Sequence, residues 1–309
     1  MIEVTGLTRY YGEFAAVKDV TFQIAMGEVV GLLGLNGAGK STTMKVLAGL
    51  LAPSRGRVLI EGIDVVQAPE ALRGRIGYLP EDPPLYDDMT VRAFLAHCGR
   101  LKGMTADAIR RRVPEVIELA HLAGREDQVI GTLSHGYRKR VGIAMSVVHD
   151  PKLVILDEPI SGLDPQQIAD MRRVVRDLGH GRAVLISSHI LSEISQTCDR
   201  ILVYHHGRLV AQGTEQELGQ RSGSDSRLVL TVRGSPEAFE TWARNHPRVR
   251  SVARRDSDPG FAVALVDLDG DAREAVIADA VQAGFGIRLV ESPADELEEI
   301  FLGLTRGAA

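Results

Sequence analysis

The sequence has little cysteine and no excess of basic charge. Among its 309 residues the only two cysteines, Cys98 and Cys198, stand outside any CxxC or Cys/His ligand spacing, so we expect neither a disulfide framework nor a zinc site. The 36 Lys and Arg residues are outnumbered by 41 Asp and Glu, for a net charge of -5. No nucleic-acid partner is therefore expected, and the cysteine usage fits a reducing cytoplasm.

Long apolar runs are also missing. No stretch approaches the roughly 20 apolar residues of a membrane-spanning helix, and the start, MIEVTGLTRY, lacks the apolar core of a signal peptide. If the protein works at a membrane, we expect another chain to cross it. The remaining composition, 44% apolar and 25% charged, is that of a globular chain with room for one large and one small domain.

The larger predicted domain covers residues 1–217. Short β-branched runs alternate there with longer helical patterns, which predicts an α/β domain with a mostly parallel sheet. Buried strands are predicted at 28–33, 153–156 and 183–187, where compact apolar runs end in polar residues. Residues 89–132 show helical patterns without strands and predict a helical insert.

A polar stretch at 218–227 has the composition of a linker. Beyond it, residues 228–309 predict the order βαββαβ, typical of a small α+β domain of ferredoxin-like type. The predicted elements are strands at 228–232, 249–253, 261–268 and 287–291 and helices at 236–245 and 271–284. The tail segment ADELEEIFLGL has apolar residues at 297, 300, 301 and 304, the spacing of one helical face.

A phosphate-binding loop is the strongest local motif. GLNGAGKST, residues 34–42, satisfies G-x-x-x-x-G-K-[ST] between a predicted strand and a predicted helix. Its glycines allow successive N–H groups to face a triphosphate, and the helix adds its positive end. Lys40 would bind the β- and γ-phosphates, and the Ser41 hydroxyl would bind Mg²⁺. The predicted nucleotide-binding residues of this loop are Asn36, Gly37, Ala38, Gly39, Lys40, Ser41 and Thr42.

Two adjacent carboxylates end the apolar run of LVILDEP. At the carboxyl edge of the sheet, Asp157 would hold Mg²⁺ and Glu158 would orient and deprotonate the attacking water. Just upstream lies LSHGY at 133–137, followed by the helical pattern RKRVGIAMSVV.

With these motifs in place, residues 1–217 resemble the P-loop ATPase domain of ABC transporter ATP-binding subunits. Seven motifs follow the family order: an aromatic residue before Gly12, the phosphate loop, IGYLPE at the glutamine-loop position, LSHGY at the signature position, LDEP, SGLD at 161–164, and His189 in SSHILSE.

The resemblance implies a head-to-tail homodimer with ATP between the chains. Each ATP would lie on the phosphate loop of one chain and be capped by Ser134 and Gly136 of the other. Tyr11 would stack on adenine, although the adjacent Tyr10 leaves the identity of that ring open. His189 would contact the γ-phosphate and hold the water, so the implied catalytic residues are Lys40, Glu158 and His189.

Four positions depart from the family pattern. Leu35, His135 and Tyr137 replace a proline, a glycine and a glutamine. Glu81 stands where the family has glutamine: its carboxylate keeps an oxygen for Mg²⁺ but loses the amide donor and adds a charge. We expect Glu81 to contact both nucleotide and metal, with altered coupling or metal affinity.

IGYLPE, LS-x-GY and the ending LEEIFLGLT look like the subgroup that serves ABC-2 type exporters, including gliding-motility and drug-resistance types. The resemblance implies an integral membrane permease partner, contacted near residues 83–89, and a location on the cytoplasmic face of the membrane. A soluble ABC ATPase acting on ribosomes or DNA is the alternative. Such relatives usually carry two cassettes or a coiled-coil insertion, whereas this chain has one phosphate loop and no sustained heptads. An inactive regulatory subunit is the third hypothesis.

Overall fold

The computed structural model describes residues 1–221, 227–255, 260–270 and 272–291. The chain divides into two compact units, Met1–Thr214 and Glu215–Ala309, three residues before the predicted domain end at 217. The predicted linker begins inside a helix that runs from Glu215 to Arg221. The predicted tail helix lies outside the described residues. Within these ranges, no helix combines the length and apolar character needed to cross a membrane.

The first unit contains two β-sheets. One is a four-stranded antiparallel sheet of order β2-β1-β4-β5, and the other is a six-stranded sheet of order β10-β9-β3-β8-β7-β6. The strands are β1 (Ile2–Tyr11), β2 (Phe14–Ile24), β3 (Val29–Leu33), β4 (Arg55–Ile60), β5 (Ile63–Asp64), β6 (Ile76–Leu79), β7 (Leu153–Leu156), β8 (Ala183–Ser188), β9 (Arg200–His205) and β10 (Arg208–Gly213). In the six-stranded sheet β9, β3, β8, β7 and β6 run parallel, and β10 pairs antiparallel with β9.

The helices of the first unit follow from their caps and apolar faces. They are α1 (Lys40–Leu47), α2 (Pro69–Leu72), α3 (Val91–Leu101), α4 (Ala106–Leu119), α5 (His135–Val147), α6 (Pro165–Leu178) and α7 (Leu191–Ser195), with a 3-10 turn at Ile130–Thr132. The N-cap hydroxyls of Thr90 and Thr105 accept the N–H groups of Ala93 and Ala108, which starts α3 and α4. These two helices form the predicted helical insert.

Helix α1 belongs to the core that both sheets share. Its buried Met44 and Leu47 lie in one apolar cluster with residues of β1 and β2 on one side and of β3 and β8 on the other. This packing fixes the start of α1, and with it the phosphate loop, against the end of β3.

The antiparallel sheet corrects the expectation of a mostly parallel sheet across residues 1–217. All five residues of β3 and all four of β7 are buried, so their apolar runs are continuous. In β2, by contrast, buried and exposed residues are interspersed, because one face of an antiparallel sheet remains open. A search for compact apolar runs therefore finds β3, β7 and β8 and misses β1 and β2.

The second unit follows the predicted element order. It begins with α8 (Glu215–Arg221) and continues with β11 (Arg227–Arg233), α9 (Pro236–Arg244), β12 (Val249–Arg255), β13 (Phe261–Leu268), α10 (Arg273–Gln282) and β14 (Gly286–Glu291). The strands form an antiparallel sheet of order β12-β13-β11-β14. Alternate residues of β13 are buried in a core shared with Phe239 of α9 and Val276 of α10.

Candidate functional site

Polar residues follow four neighbouring parallel strands at one edge of the six-stranded sheet. The phosphate loop follows β3, His189 follows β8, the pair Asp157 and Glu158 follows β7, and Glu81 lies two residues after β6. Because these strands are adjacent and parallel, their carboxyl ends meet, and ligands of such sheets bind at this edge. The topology therefore brings together residues separated by up to about 150 positions in the sequence.

The phosphate loop requires glycine where its backbone enters α1. Gly39 has φ +104°, and a Cβ there would lie 2.5 Å from the carbonyl oxygen of Ala16, so any other residue is excluded. Gly37 has φ +81° with nothing within 4 Å of an added Cβ, and this leaves the loop open on that side. No side chain caps the start of α1. Its first N–H groups and positive dipole end are consequently available to bind an anion.

Lys40 is the buried cation of this loop. Its ammonium donates to the main-chain carbonyls of Gly34 and Leu35 and lies 3.6 Å from Oε1 of Glu158. Burial lowers the pKa of Lys40, and the carboxylate of Glu158 opposes that shift. The charge is thus held inside the protein by a carboxylate partner.

The two adjacent carboxylates have different surroundings. Oδ1 of Asp157 accepts hydrogen bonds from the hydroxyls of Ser41, at 3.3 Å, and Ser187, at 2.6 Å. The Ser187 oxygen also accepts the N–H of Glu158 at 2.8 Å. Glu158 has φ +46°, a left-handed conformation that is costly outside glycine and persists only where contacts hold it.

His189 contacts the second oxygen of the Glu158 carboxylate. Its Nδ1 donates to Oε2 at 3.0 Å, while Oε1 faces Lys40. Lys40 and His189 therefore hold the two carboxylate oxygens of Glu158, although the sequence predicts that both residues contact the γ-phosphate.

A cleft of about 380 Å³ opens over these groups. Its lining contains most of the predicted nucleotide-binding residues and three residues that were not predicted, Phe14, Ala16 and Leu35. It consists of Tyr11, Phe14, Ala16, Leu35, Asn36, Gly37, Ala38, Gly39, Lys40, Ser41, Thr42, Glu81, Glu158 and His189. Tyr11 is 48% exposed and pairs with Phe14 across the β1–β2 ladder, so the ladder ends in two rings at the cleft.

Three predicted site residues do not line the described part of this cleft. Asp157 lies beneath it, bonded to Ser41. Ser134 is the exposed N-cap of α5, with no capping bond from its side chain. Gly136 packs against α6, where an added Cβ would lie 2.7 Å from Oε1 of Gln167. The signature segment thus lies away from the phosphate loop of its own chain.

Ser187, Lys139 and Phe14 are site residues that sequence reasoning missed. Ser187 joins the two carboxylates as described above, and its position at the end of a predicted strand was the available signal. Lys139 is buried on α5 and donates to the main-chain carbonyls of Glu81 and Glu158. It belongs to the basic run RKR at 138–140, and only the fold shows that Lys139 is buried.

The donor set fits a magnesium nucleotide. A curled glycine loop, an uncapped helix start and a buried ammonium are donors for a triphosphate. Ser41 and Asp157 bring a hydroxyl and a carboxylate within 3.3 Å, both hard oxygen ligands that suit Mg²⁺. The described residues contain no group of three or more His, Cys, Asp or Glu able to hold a metal. Mg²⁺ bound here would take its remaining ligands from phosphate and water oxygens.

Comparison with known sequences places this site in a family. The ABC transporter family profile matches residues 17–161. The uncharacterized ABC transporter ATP-binding protein YxlF of Bacillus subtilis is 33% identical over 302 residues, 98% of each chain. The daunorubicin/doxorubicin resistance ATP-binding protein DrrA of Streptomyces peucetius is 35% identical over 98% of this chain and 92% of its own. A Nod factor export ATP-binding protein I, from Paraburkholderia xenovorans, is 37% identical over 98% and 96%.

Solved structures agree with this assignment over about 70% of the chain. CbiO1 of Clostridium perfringens, described as part of the ABC transporter complex cbiONQ, is 30% identical, with a TM-score of 0.65 over 72% of this chain and 94% of its own. A dimeric post-hydrolysis state of the ATP-binding cassette MJ0796, bound to ADP and Pi, covers 69% and 98% with a TM-score of 0.61. At 24% identity the second likeness concerns the fold alone. From the motifs, their geometry and these relatives, the chain belongs to the ABC transporter ATP-binding proteins, the ATP-hydrolysing subunits of ABC transporters.

Proposed function

We propose that this chain binds ATP and Mg²⁺ in the cleft, hydrolyses ATP as a head-to-tail homodimer, and powers a separate membrane permease that exports its substrate. The observation that carries the proposal is the meeting of the phosphate loop, Asp157, Glu158, His189 and Glu81 at the ends of four adjacent strands. The soluble ribosomal or DNA-directed alternative finds no support, since relatives matching 98% of the chain are named for resistance or export.

In this mechanism the phosphate loop and Lys40 hold the phosphates, and Ser41 and Asp157 hold Mg²⁺. Glu81 contributes a carboxylate to the lining of the cleft. The bound metal supplies charge neutralisation at the β- and γ-phosphates. Tyr11 stacks on the adenine ring. Each of these roles is supported by the side chain's position in the cleft or, for Asp157, by its bond to Ser41.

Glu158 is the general base in the proposed reaction. Its carboxylate takes the proton of the attacking water, and His189, bonded to Oε2, holds the carboxylate and the water in line. Ser187 fixes the main chain of Glu158 from below. The base is thus oriented before the substrate arrives, which lowers the entropic part of the barrier.

The homodimer explains the location of the signature segment. Ser134 is exposed at the start of α5, outside its own cleft, where its free hydroxyl and the first N–H groups of the helix would meet a phosphate held by a second copy. ATP would then join the two chains, and hydrolysis would release them.

The proposed docking place for the permease is the surface at residues 83–89 together with a groove that borders the helical insert. The groove has a volume of about 440 Å³ and is lined in part by Arg73, Tyr78, Leu101 and Lys102. The predicted contact segment 83–89 lies beside the same insert, where the exposed Tyr86 packs against Phe94 with ring centroids 5.7 Å apart. This arrangement would couple the Glu81 loop to a membrane partner on the cytoplasmic face.

The second unit has the strand order and the antiparallel pairing of the ferredoxin-like fold. We propose that it is a domain of this type, joined to the ATPase through α8.

Two measurements test the proposal. The first is Mg²⁺-dependent ATP turnover by the purified chain, and the second is recovery of the chain in the membrane fraction when it is co-expressed with a candidate permease. The charge reversal Lys102→Glu should reduce membrane recovery while basal turnover stays near wild type, because Lys102 lies in the groove and not in the cleft. Absence of turnover would refute the catalytic part. Turnover without membrane recovery for any permease tested would refute the transport part.

A further inference from the structure

Lys139 is a buried cation that the roles above leave unused. It lies on α5, five residues after Ser134, and its side chain is only 3% exposed. Its ammonium donates to the main-chain carbonyl of Glu81 and, at 3.4 Å, to that of Glu158. One side chain therefore joins the signature helix to two separate loops, each of which carries a carboxylate of the cleft.

The carboxylates around Lys139 account for its burial. Burial lowers the pKa of Lys139, and the charges of Glu81, Asp82, Glu158 and Asp157 oppose that shift. A buried ammonium is tolerated where hydrogen bonds and nearby opposite charges compensate for its burial, and Lys139 has both. Conversely, Lys139 supplies positive charge beside Glu81, the position where the family pattern has a neutral glutamine.

Glu158 needs such a contact because of its backbone. At φ +46° its conformation persists only if the surroundings hold it. Ser187 holds its N–H, and Lys40 and His189 hold its carboxylate. The carbonyl oxygen accepts from Lys139 and, at 3.3 Å, from the N–H of Ser161. Of these contacts, Lys139 is the one that also reaches the Glu81 loop.

We propose that Lys139 is a positioning residue that ties the Glu81 loop to the turn at Glu158, and that its buried charge allows position 81 to carry a carboxylate. The inference rests on the proposed function of the cleft. Without the ammonium, the carbonyl of Glu81 loses this donor, and the carbonyl of Glu158 keeps the N–H of Ser161 but loses its tie to the Glu81 loop. The charge of Glu81 also loses one of the cations near it, while Lys40 remains.

Three substitutions of Lys139 test the positioning role. Lys139→Met should lower kcat about tenfold to a hundredfold, the effect of misplacing a catalytic group by about 1 Å. The KM for ATP and the affinity for a fluorescent ATP analogue should stay within about threefold, because the phosphate-binding groups remain. Lys139→Arg, which keeps a cation with donors, should recover most of kcat. If Lys139→Met does not fold, Lys139→Gln takes its place in each comparison.

Arg112→Met is the matched control. Arg112 is also a cation that donates from a helix to a main-chain carbonyl, that of Val147, but it lies on α4 outside the cleft. The variant Arg112→Met should have a lower unfolding midpoint and an unchanged kcat. A fall in kcat for Arg112→Met equal to that for Lys139→Met would show a general stability effect and overturn the proposal.

Glu81→Gln tests the charge relationship. On the Lys139→Met background it should raise kcat about threefold to tenfold, the coupling expected within one hydrogen-bond and charge network, whereas on the wild-type background it should not raise kcat. Additive effects, or wild-type kcat in Lys139→Met, would overturn the inference. Glu158→Gln serves as the inactive reference: if it turned over like wild type, the proposed function would fail instead, so the two failures are distinguishable.

Discussion

Lys40 and Glu158 form a buried ion pair, with Nζ 3.6 Å from Oε1 and both side chains less than a tenth exposed. The proposed reaction requires each of them for a different partner, the phosphates for Lys40 and the attacking water for Glu158. An incoming triphosphate therefore competes with Glu158 for the same ammonium. Removing the carboxylate charge would leave Lys40 to the nucleotide alone.

Glu158→Gln should consequently bind ATP at least as tightly as wild type while losing turnover by about 10²-fold to 10⁴-fold, the contribution of a general base. With ATP and Mg²⁺ it should accumulate as a dimer, measured by light scattering with and without nucleotide. Lys40→Ala should bind ATP weakly and stay monomeric.

The control for Glu158→Gln is Glu193→Gln. Glu193 is another buried carboxylate, paired with the hydroxyl of Ser188, and it does not line the described part of the cleft. Its substitution should leave turnover near wild type. A monomeric Glu158→Gln variant under both conditions would argue against the sandwiched dimer.

Ser187→Ala should destabilise the protein and slow catalysis together. Its hydroxyl is fully buried, donates to Asp157 and accepts the N–H of Glu158. Its loss leaves a buried N–H without an acceptor, which costs about 1–3 kcal/mol, and frees the turn that carries the base. We expect a lower urea midpoint and a kcat reduced about tenfold or more.

Ser146→Ala separates the two effects. Ser146 is equally buried, but its hydroxyl donates to the carbonyl of Ile143 within α5. This variant should change stability slightly and leave kcat unchanged. Wild-type kcat in Ser187→Ala would mean that Glu158 is held well enough without the hydroxyl.

Three of the parallel strands and the motifs after them were predictable from sequence because both depend on local patterns. Continuous apolar runs mark β3, β7 and β8 since both faces of each are buried. The polar residues after such strands must meet at one edge of a parallel sheet. The cleft could therefore be anticipated without knowing the strand order.

Other features depend on tertiary contacts that no local pattern encodes. The strands of the antiparallel sheet lack continuous apolar runs, because one face is open. Lys139 lies in a basic cluster typical of a solvated helix face, and its burial follows from how α5 packs beside the Glu81 loop. The pairing of Lys40 with Glu158 likewise joins residues that follow β3 and β7, two strands that are separated by β8.

Tyr11 and Tyr10 can be distinguished by nucleotide affinity. Tyr11 lines the cleft, whereas the main chain of Tyr10 donates to the Ser54 hydroxyl and its side chain is not part of the described lining. Tyr11→Ala should weaken ATP binding by about 1–3 kcal/mol, the value of a stacked base, and Tyr10→Ala should not. Fluorescence titration with an ATP analogue measures both. Equal losses would show that Tyr11 is not the ring that stacks on adenine, and Phe14→Ala would be the next variant to test.

His149 predicts how acid affects stability. Its Nε2–H donates to the carbonyl of Ile76 at 3.0 Å, and its buried Nδ1 has no hydrogen-bond partner among the residues that the structure describes. Burial, followed by the nearby charge of Lys102, lowers the pKa of His149 from 6.5 to about 4. Between these values the unfolded chain takes up a proton that the folded protein refuses. This site therefore favours unfolding as the pH falls from 6.5 towards 4.

His149→Gln keeps a donor for Ile76 but does not titrate, so it should lose less stability on acidification than wild type. The difference should be on the order of 1 kcal/mol near pH 5, after allowing for the partial exposure of the ring. Urea unfolding at about pH 7.5 and pH 5 measures it, with the exposed His180→Gln as the control that should follow wild type. If His149→Gln lost as much stability as wild type between the two pH values, the ring would be accepting its proton in the folded protein, and the packing around Nδ1 would have to open.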